Sequence, residues 1–204
     1  EKARDRHDRI IVQEKLDGSC CAVAKLDDGQ IVALGRAGYL ASSSKYEMHH
    51  LFSQWFRMNI HRFVYLLRPG ERAVGEWLAQ AHGTRYILSH EPFVIFDIML
   101  GETRALTGEV YRRCREQGFT NPSLLSVGNP RTIADVMEML RHGGFHGALD
   151  PVEGAVWRVE RNGTVDYLAK YVRPGKVDGY YLPEVSGVEA VWNWRPSGID
   201  ALVS

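Results

Sequence analysis

Lys15-Leu16-Asp17-Gly18 closes the apolar run Ile10-Ile11-Val12-Gln13-Glu14. A strand of that kind buries the lysine's stem, and the glycine turn behind it opens room for a ligand. Lysine attack on an electrophile is a standard route of covalent catalysis. It needs a neutral amine, and a free lysine, with a pKa of about 10.4, is neutral in only about one molecule in a thousand at physiological pH. A pocket must therefore ease the proton off through partial desolvation and neighbouring positive charge. Taken alone, Lys15 reads as a surface lysine beside a turn, because K-x-D-G arises by chance in many chains.

Five further segments follow in order. Gly35-Arg36-Ala37-Gly38 carries an arginine on a turn after the strand Ile31–Leu34. Val74-Gly75-Glu76-Trp77-Leu78 and Val152-Glu153-Gly154-Ala155-Val156-Trp157-Arg158 each set an acid inside an apolar strand. Between them lies the aromatic strand Phe93-Val94-Ile95-Phe96-Asp97-Ile98, and the last segment is Tyr167-Leu168-Ala169-Lys170-Tyr171-Val172-Arg173-Pro174-Gly175-Lys176. A carboxylate in an apolar strand is costly unless it is paired, hydrated or metal-bound. Outward alternation into water is the ordinary alternative for both acids.

With this content and order the chain resembles the covalent nucleotidyltransferase superfamily of ATP-dependent nucleic-acid ligases and mRNA capping enzymes. The resemblance is greatest to the small phage and bacterial RNA ligases, where Gly-Glu-Trp-Leu followed by Phe-Asp-Ile is a familiar pairing. It covers Ile10 to about Lys176. The fold it implies is an α+β nucleotidyltransferase (ATP-grasp-like ligase adenylation) domain, with antiparallel sheets flanked by helices and no OB domain. Residues 177–204 would be a short tail on that single domain.

The resemblance also implies roles. Lys15 would attack ATP to give lysyl-AMP, with Arg36 and Lys170 neutralising the phosphates. Glu76 and Glu153 would contact the ribose and organise metal-bound water. Asp17 would join them around Mg2+ or Mn2+, chiefly through water, since magnesium gives up its hydration reluctantly. Phe96 would stack on the adenine, with Phe93 as the alternative if the strand register differs. Backbone groups near Gln13 and Glu14 would read the adenine amino edge, favouring ATP over GTP. One position departs from the family pattern: the second lysine expected two residues beyond Lys170 is Val172. Arg173 and Lys176 are the candidates to replace its phosphate contact, although Arg173 falls on the opposite face of a regular strand from Lys170.

The function so implied is an ATP-dependent polynucleotide ligase, RNA favoured, joining 5′-phosphate and 3′-hydroxyl ends through lysyl-AMP and an adenylylated 5′ end. A GTP-dependent capping-type guanylyltransferase is one alternative. A non-catalytic nucleic-acid end-binding module is another, kept open by Val172. The sequence leaves RNA against DNA, the natural substrate and any protein partner undetermined.

Composition sets outer bounds. The 204 residues are 45% hydrophobic, enough for one substantial core. Twenty-five basic and 25 acidic residues balance, so any nucleic-acid face must come from local charge segregation. The candidates are Arg57, Arg62, Arg68 and Arg72, and separately Arg112, Arg113 and Arg115, with a solvated helix face the favoured reading of each group taken alone. Three cysteines without C-x-x-C spacing fit a reducing cytoplasm. No apolar run reaches membrane-spanning length.

The elements that must position these residues are legible in outline. Ile10–Glu14 and Cys20–Leu26 read as strands, and Asp27-Asp28-Gly29 turns the second into Ile31–Leu34. A helix is predicted from the caps Ser42-Ser43-Ser44 to about Leu67, with an apolar stripe through Phe52, Trp55, Phe56 and Phe63. Strands follow at Ala73–Leu78 and Phe93–Met99, separated by an irregular stretch, Ala79–His90. Helices are expected at Gly108–Gln117 and Ile133–His142, the latter capped by Thr132. Gly154–Glu160 and Val165–Val172 form a closing hairpin. The tail beyond Val177 is expected to pack on the core.

Overall fold

The computed structural model describes residues 3–196. In chain order they form β1 (Arg9–Lys15), β2 (Ser19–Lys25), β3 (Ile31–Gly35), α1 (Glu47–Leu66), β4 (Glu71–Trp77), β5 (Phe93–Leu100) and β6 (Thr103–Arg104). There follow α2 (Thr107–Glu116), β7 (Leu124–Gly128), α3 (Ile133–Leu140), β8 (Gly154–Arg161), β9 (Thr164–Val172) and the single turn α4 (Pro183–Ser186). Two sheets result, ordered β7-β1-β8-β9 and β3-β2-β4-β5-β6, and every strand pairing within them is antiparallel. This is the α+β arrangement expected from the sequence.

β1 and β2 are consecutive strands in different sheets, so Leu16-Asp17-Gly18 is the crossing between them. A Cβ on Gly18 would lie 2.5 Å from the Trp77 carbonyl oxygen, so only glycine lets the crossing lie this close to β4. Lys15 and Asp17 are thereby placed in the cleft where the sheets meet.

Each sheet has its own core. Phe52, Trp55 and Phe63 of α1 pack with Trp77, Phe93 and Phe119 over the five-stranded sheet. Val136 and Leu140 of α3 cover Val12, Trp157 and Val159 of the other. Burial of apolar area at about 25 cal/mol per Å2 makes these clusters the main source of stability. A small group, Leu16, Leu78, Tyr86 and Val94, joins them beneath the crossing.

Several elements differ from the sequence reading. Helix α1 starts at Glu47, because Ser44 Oγ accepts from Tyr46 N–H at 3.2 Å and binds His49 Nδ1 at 2.7 Å, making a turn ahead of the helix. Strand β7 was not anticipated, since only Leu125 of its five residues is buried. The Thr132 cap is present and accepts from Asp135 N–H at 3.1 Å. Not all the arginines are solvated. Arg113 is buried, 2.5 Å from Glu71, and Arg62 pairs with Glu91 at 2.7 Å while lying 4.0 Å from the Phe119 ring. The described part of the tail packs against the body: Ala81 N–H bonds the Val191 carbonyl at 2.9 Å, and Trp194 meets Trp77 edge-on. Among the described residues, no helix is long and apolar enough to cross a membrane.

Candidate active site

Lys15 ends β1 opposite Gly154, the first residue of β8. Glu153, immediately before that strand, therefore faces the lysine, and its Oε2 lies 2.5 Å from Lys15 Nζ. Glu76 comes from β4, opposite Cys20, and accepts the Gly18 N–H at 3.0 Å. Asp17 accepts from Gly83 N–H at 2.9 Å, and its own N–H donates to the Tyr86 hydroxyl at 3.0 Å. Lys176 Nζ closes the group, 2.6 Å from Glu153 Oε1 and 3.1 Å from Asp17 Oδ1.

Two cavities meet at Lys15. One, of about 510 Å3, is lined by the acids Asp17, Glu76, Glu153 and Asp178 and by the cations Lys15, Arg36, Lys170 and Lys176. The other, of about 160 Å3, is bounded by Phe96, Leu16, Val156, Leu168 and Pro122, with Glu14 and Arg158 at its polar side. Lys15 and Glu76 line both. A half-exposed aromatic in an apolar slot suits a flat base, whereas the charged chamber suits phosphates.

Phe96 faces the slot because β5 is irregular. Val74 pairs with Asp97 and Gly75 with Ile95, so Phe96 is the extra residue of a bulge, a device that re-aims side chains beside functional sites. Ile95 and Ile98 both reach the core as a result, while Phe96 lines the cleft. Gly75 makes the close approach possible: a Cβ there would lie 2.6 Å from the Val94 carbonyl oxygen. Phe93 is fully buried in the core and faces away from the slot.

Electrostatics single out two carboxyl groups. Burial pushes Glu76 up to about 7, against the pull of Lys15 and the Gly18 N–H, with Glu153 and Asp17 adding repulsion. Burial likewise raises Glu14 to about 7, opposed by the Phe145 N–H that it accepts at 2.9 Å. The Glu14 N–H is engaged by the Ser123 carbonyl at 3.0 Å. Among the described residues, no three His, Cys, Asp or Glu side chains converge closely enough to hold a metal ion directly. The donors do fit a hydrated cation, since Asp17, Glu76 and Glu153 face one charged cavity and a cation there would offset the burial that disfavours the Glu76 charge.

Of the residues singled out in the sequence, Lys15, Asp17, Glu76, Glu153, Arg36, Lys170 and Lys176 line the charged cavity, and Glu14 and Phe96 line the slot. Arg173 does not join them. Its Nε donates to the Pro151 carbonyl at 3.3 Å, and it borders a separate cavity with Asp150 and Tyr181. The sequence reading gave no role to Asp97 and Arg158, a buried pair at 2.7 Å beside Phe96, or to Tyr86. Asp97 follows Phe96 and Arg158 follows Trp157 inside quoted segments, so their placement was the only available signal.

Two antiparallel sheets with the lysine crossing between them make an α+β fold. The RNA ligase family model matches residues 8–172, and the chain belongs to that family. Among solved structures, an archaeal ATP-dependent RNA ligase aligns with TM-score 0.51 and 21% identity, over 81% of this chain and 42% of that one. A variant of the Naegleria gruberi RNA ligase with ATP and Mn aligns with TM-score 0.57 and 18% identity, over 83% of this chain and 51% of the other. The chain thus spans about half the length of these structures, and at such identities the likeness is one of fold. No curated protein matches the chain.

Proposed function

We propose that the chain is the nucleotidyltransferase unit of an ATP-dependent RNA ligase that joins 5′-phosphate to 3′-hydroxyl ends. The carrying observation is the position of Lys15, at the junction of the slot beside Phe96 and the charged cavity. With a base against Phe96 and phosphates among Arg36, Lys170 and Lys176, the α-phosphorus would lie near the lysine amine. The neutral amine forms the N–P bond, the bond to the β-phosphate oxygen breaks, and pyrophosphate leaves with its charge neutralised by the surrounding cations. An RNA 5′-phosphate oxygen then takes the AMP and frees Lys15, and a 3′-hydroxyl displaces AMP to form the phosphodiester.

Mg2+ or Mn2+, held through water by Asp17, Glu76 and Glu153, would supply charge neutralisation of the phosphates. The archaeal ligase is ATP-dependent and the Naegleria structure holds ATP and Mn, which supports this nucleotide and metal. Residues 177–204 act as the tail of the same unit, and the free cysteines Cys20, Cys21 and Cys114 suit a cytoplasmic setting.

The test is transfer. Protein loaded with labelled AMP is chased with RNA bearing a 5′-phosphate or a 5′-hydroxyl. Label should leave the protein for the 5′-phosphate strand alone, and Lys15→Ala should never load. Label retained with every RNA, or loading by Lys15→Ala, overturns the reading.

A further inference from the structure

Lys176 departs most from a plain nucleotide cavity. Its side chain is 5% exposed, and its Nζ contacts Glu153 at 2.6 Å, Asp178 at 2.8 Å and Asp17 at 3.1 Å. The strand position that would carry a second lysine holds Val172, so this ammonium arrives from the chain beyond β9.

That chain is anchored on both sides of the lysine. Arg173 N–H bonds the Glu153 carbonyl at 2.9 Å on one side. On the other, Tyr181 N–H bonds the His82 carbonyl at 2.6 Å, and Asn193 Nδ2 donates to the Leu78 carbonyl at 2.8 Å. Lys176 is therefore presented by a strap across the cleft.

We infer that Lys176 is the chain's own counter-ion: in the nucleotide-free protein it fills the place between Asp17 and Glu153 that a hydrated divalent cation takes up with the nucleotide. This rests on the nucleotidyltransferase reading. Lys176 lies between the two carboxylates while Lys15 holds the other oxygen of Glu153, so a further cation at the same place would be repelled at short range. A divalent ion must therefore displace Lys176, and the tethered ammonium is left facing the cavity where the phosphates lie. Phosphate offers it a new partner, so nucleotide and metal bind with positive coupling, and the coupling is reciprocal. Lys176 is on this account a positioning residue that sets metal affinity and the order in which the site fills.

The experiment is a Mn2+ titration of the full chain without nucleotide, read by water-proton relaxation. Lys176→Met keeps the aliphatic stem and should bind Mn2+ about tenfold more tightly than wild type, the scale of one short-range charge interaction. Lys176→Arg should stay near wild type, and adding Asp17→Asn to Lys176→Met should abolish the gain. A Lys176→Met protein that binds Mn2+ no better than wild type overturns the inference. If that variant unfolds without metal, millimolar Mn2+ must restore its fold, and failure to do so is equally contradictory. No adenylate is needed for the readout, so a wild-type protein that never loads AMP would sink the proposed function while leaving this result interpretable.

Discussion

Lys15 Nζ and Glu153 Oε2 stand 2.5 Å apart, although 138 residues separate them in the chain. The backbone ladder between β1 and β8 fixes the pair, because Lys15 lies opposite Gly154. The strand ladder itself, and not a ligand, holds the proposed nucleophile beside Glu153. Removing it should cost little structurally, because Glu153 keeps Lys176 at 2.6 Å. Lys15→Ala is expected to melt within a few degrees of wild type while losing all adduct, as thermal unfolding and labelled-AMP transfer would show.

Phe96 lines the slot and is the proposed stacking face for the base. Phe96→Ala should weaken ATP binding by about 1–3 kcal/mol, the range for a base stacked on an aromatic side chain. Phe96→Tyr should retain most of the affinity. Calorimetric titration with a non-hydrolysable ATP analogue measures both.

Gly75 permits the bulge that turns Phe96 outward. The Cβ of Gly75→Ala would meet both the Val94 carbonyl at 2.6 Å and the Phe93 ring at 2.7 Å. Neither backbone nor packed core yields cheaply, so the variant should lose stability and nucleotide affinity together. Phe96→Ala should lose affinity alone, and comparing the two by urea unfolding and nucleotide titration separates the effects.

The pair Arg158–Asp97 lies beneath the slot with both side chains essentially inaccessible. Breaking a buried pair by removing one partner typically costs about 3–5 kcal/mol, because the remaining charge is stranded. Arg104 also binds Asp97, which places Arg158→Met at the lower end of that range in urea unfolding.

Glu14 and Glu76 titrate near 7 in the folded protein against an ordinary value of 4.5. Between those values the folded state binds more protons than the unfolded one, so stability falls as pH rises from about 4.5 to 7. Glu14→Gln should flatten that decline in unfolding curves taken at a series of pH values. Mn2+ should offset the part that belongs to Glu76, because a cation favours its charged form.

Much of this site was legible because its residues sit at strand ends and turns. Lys15 before Gly18 and Lys170 near the end of β9 occupy the positions their segments suggested, whereas Glu153, read as lying inside a strand, stands just ahead of β8. Strand periodicity could choose between Phe96 and Phe93 only with the bulge known, and the bulge follows from the Gly75 contact with a neighbouring strand. Lys176 and Arg173 looked equivalent, and the strap anchored on residues 78–82 separates them through contacts far along the chain. Strand β7 escaped notice because its outward residues lack the apolar alternation that marks a buried strand. Arg113 was misread as solvated because its partner Glu71 lies 42 residues away on β4.

The most direct test of the central claim is an intact mass of the protein after incubation with Mn2+ and each of the four nucleoside triphosphates separately. A gain of one AMP with ATP alone, mapped by peptide sequencing to Lys15, is the expected result. A GMP adduct would place the protein in capping-type chemistry. Folded protein that gains nothing from any nucleotide, or carries AMP on a residue other than Lys15, would contradict the account.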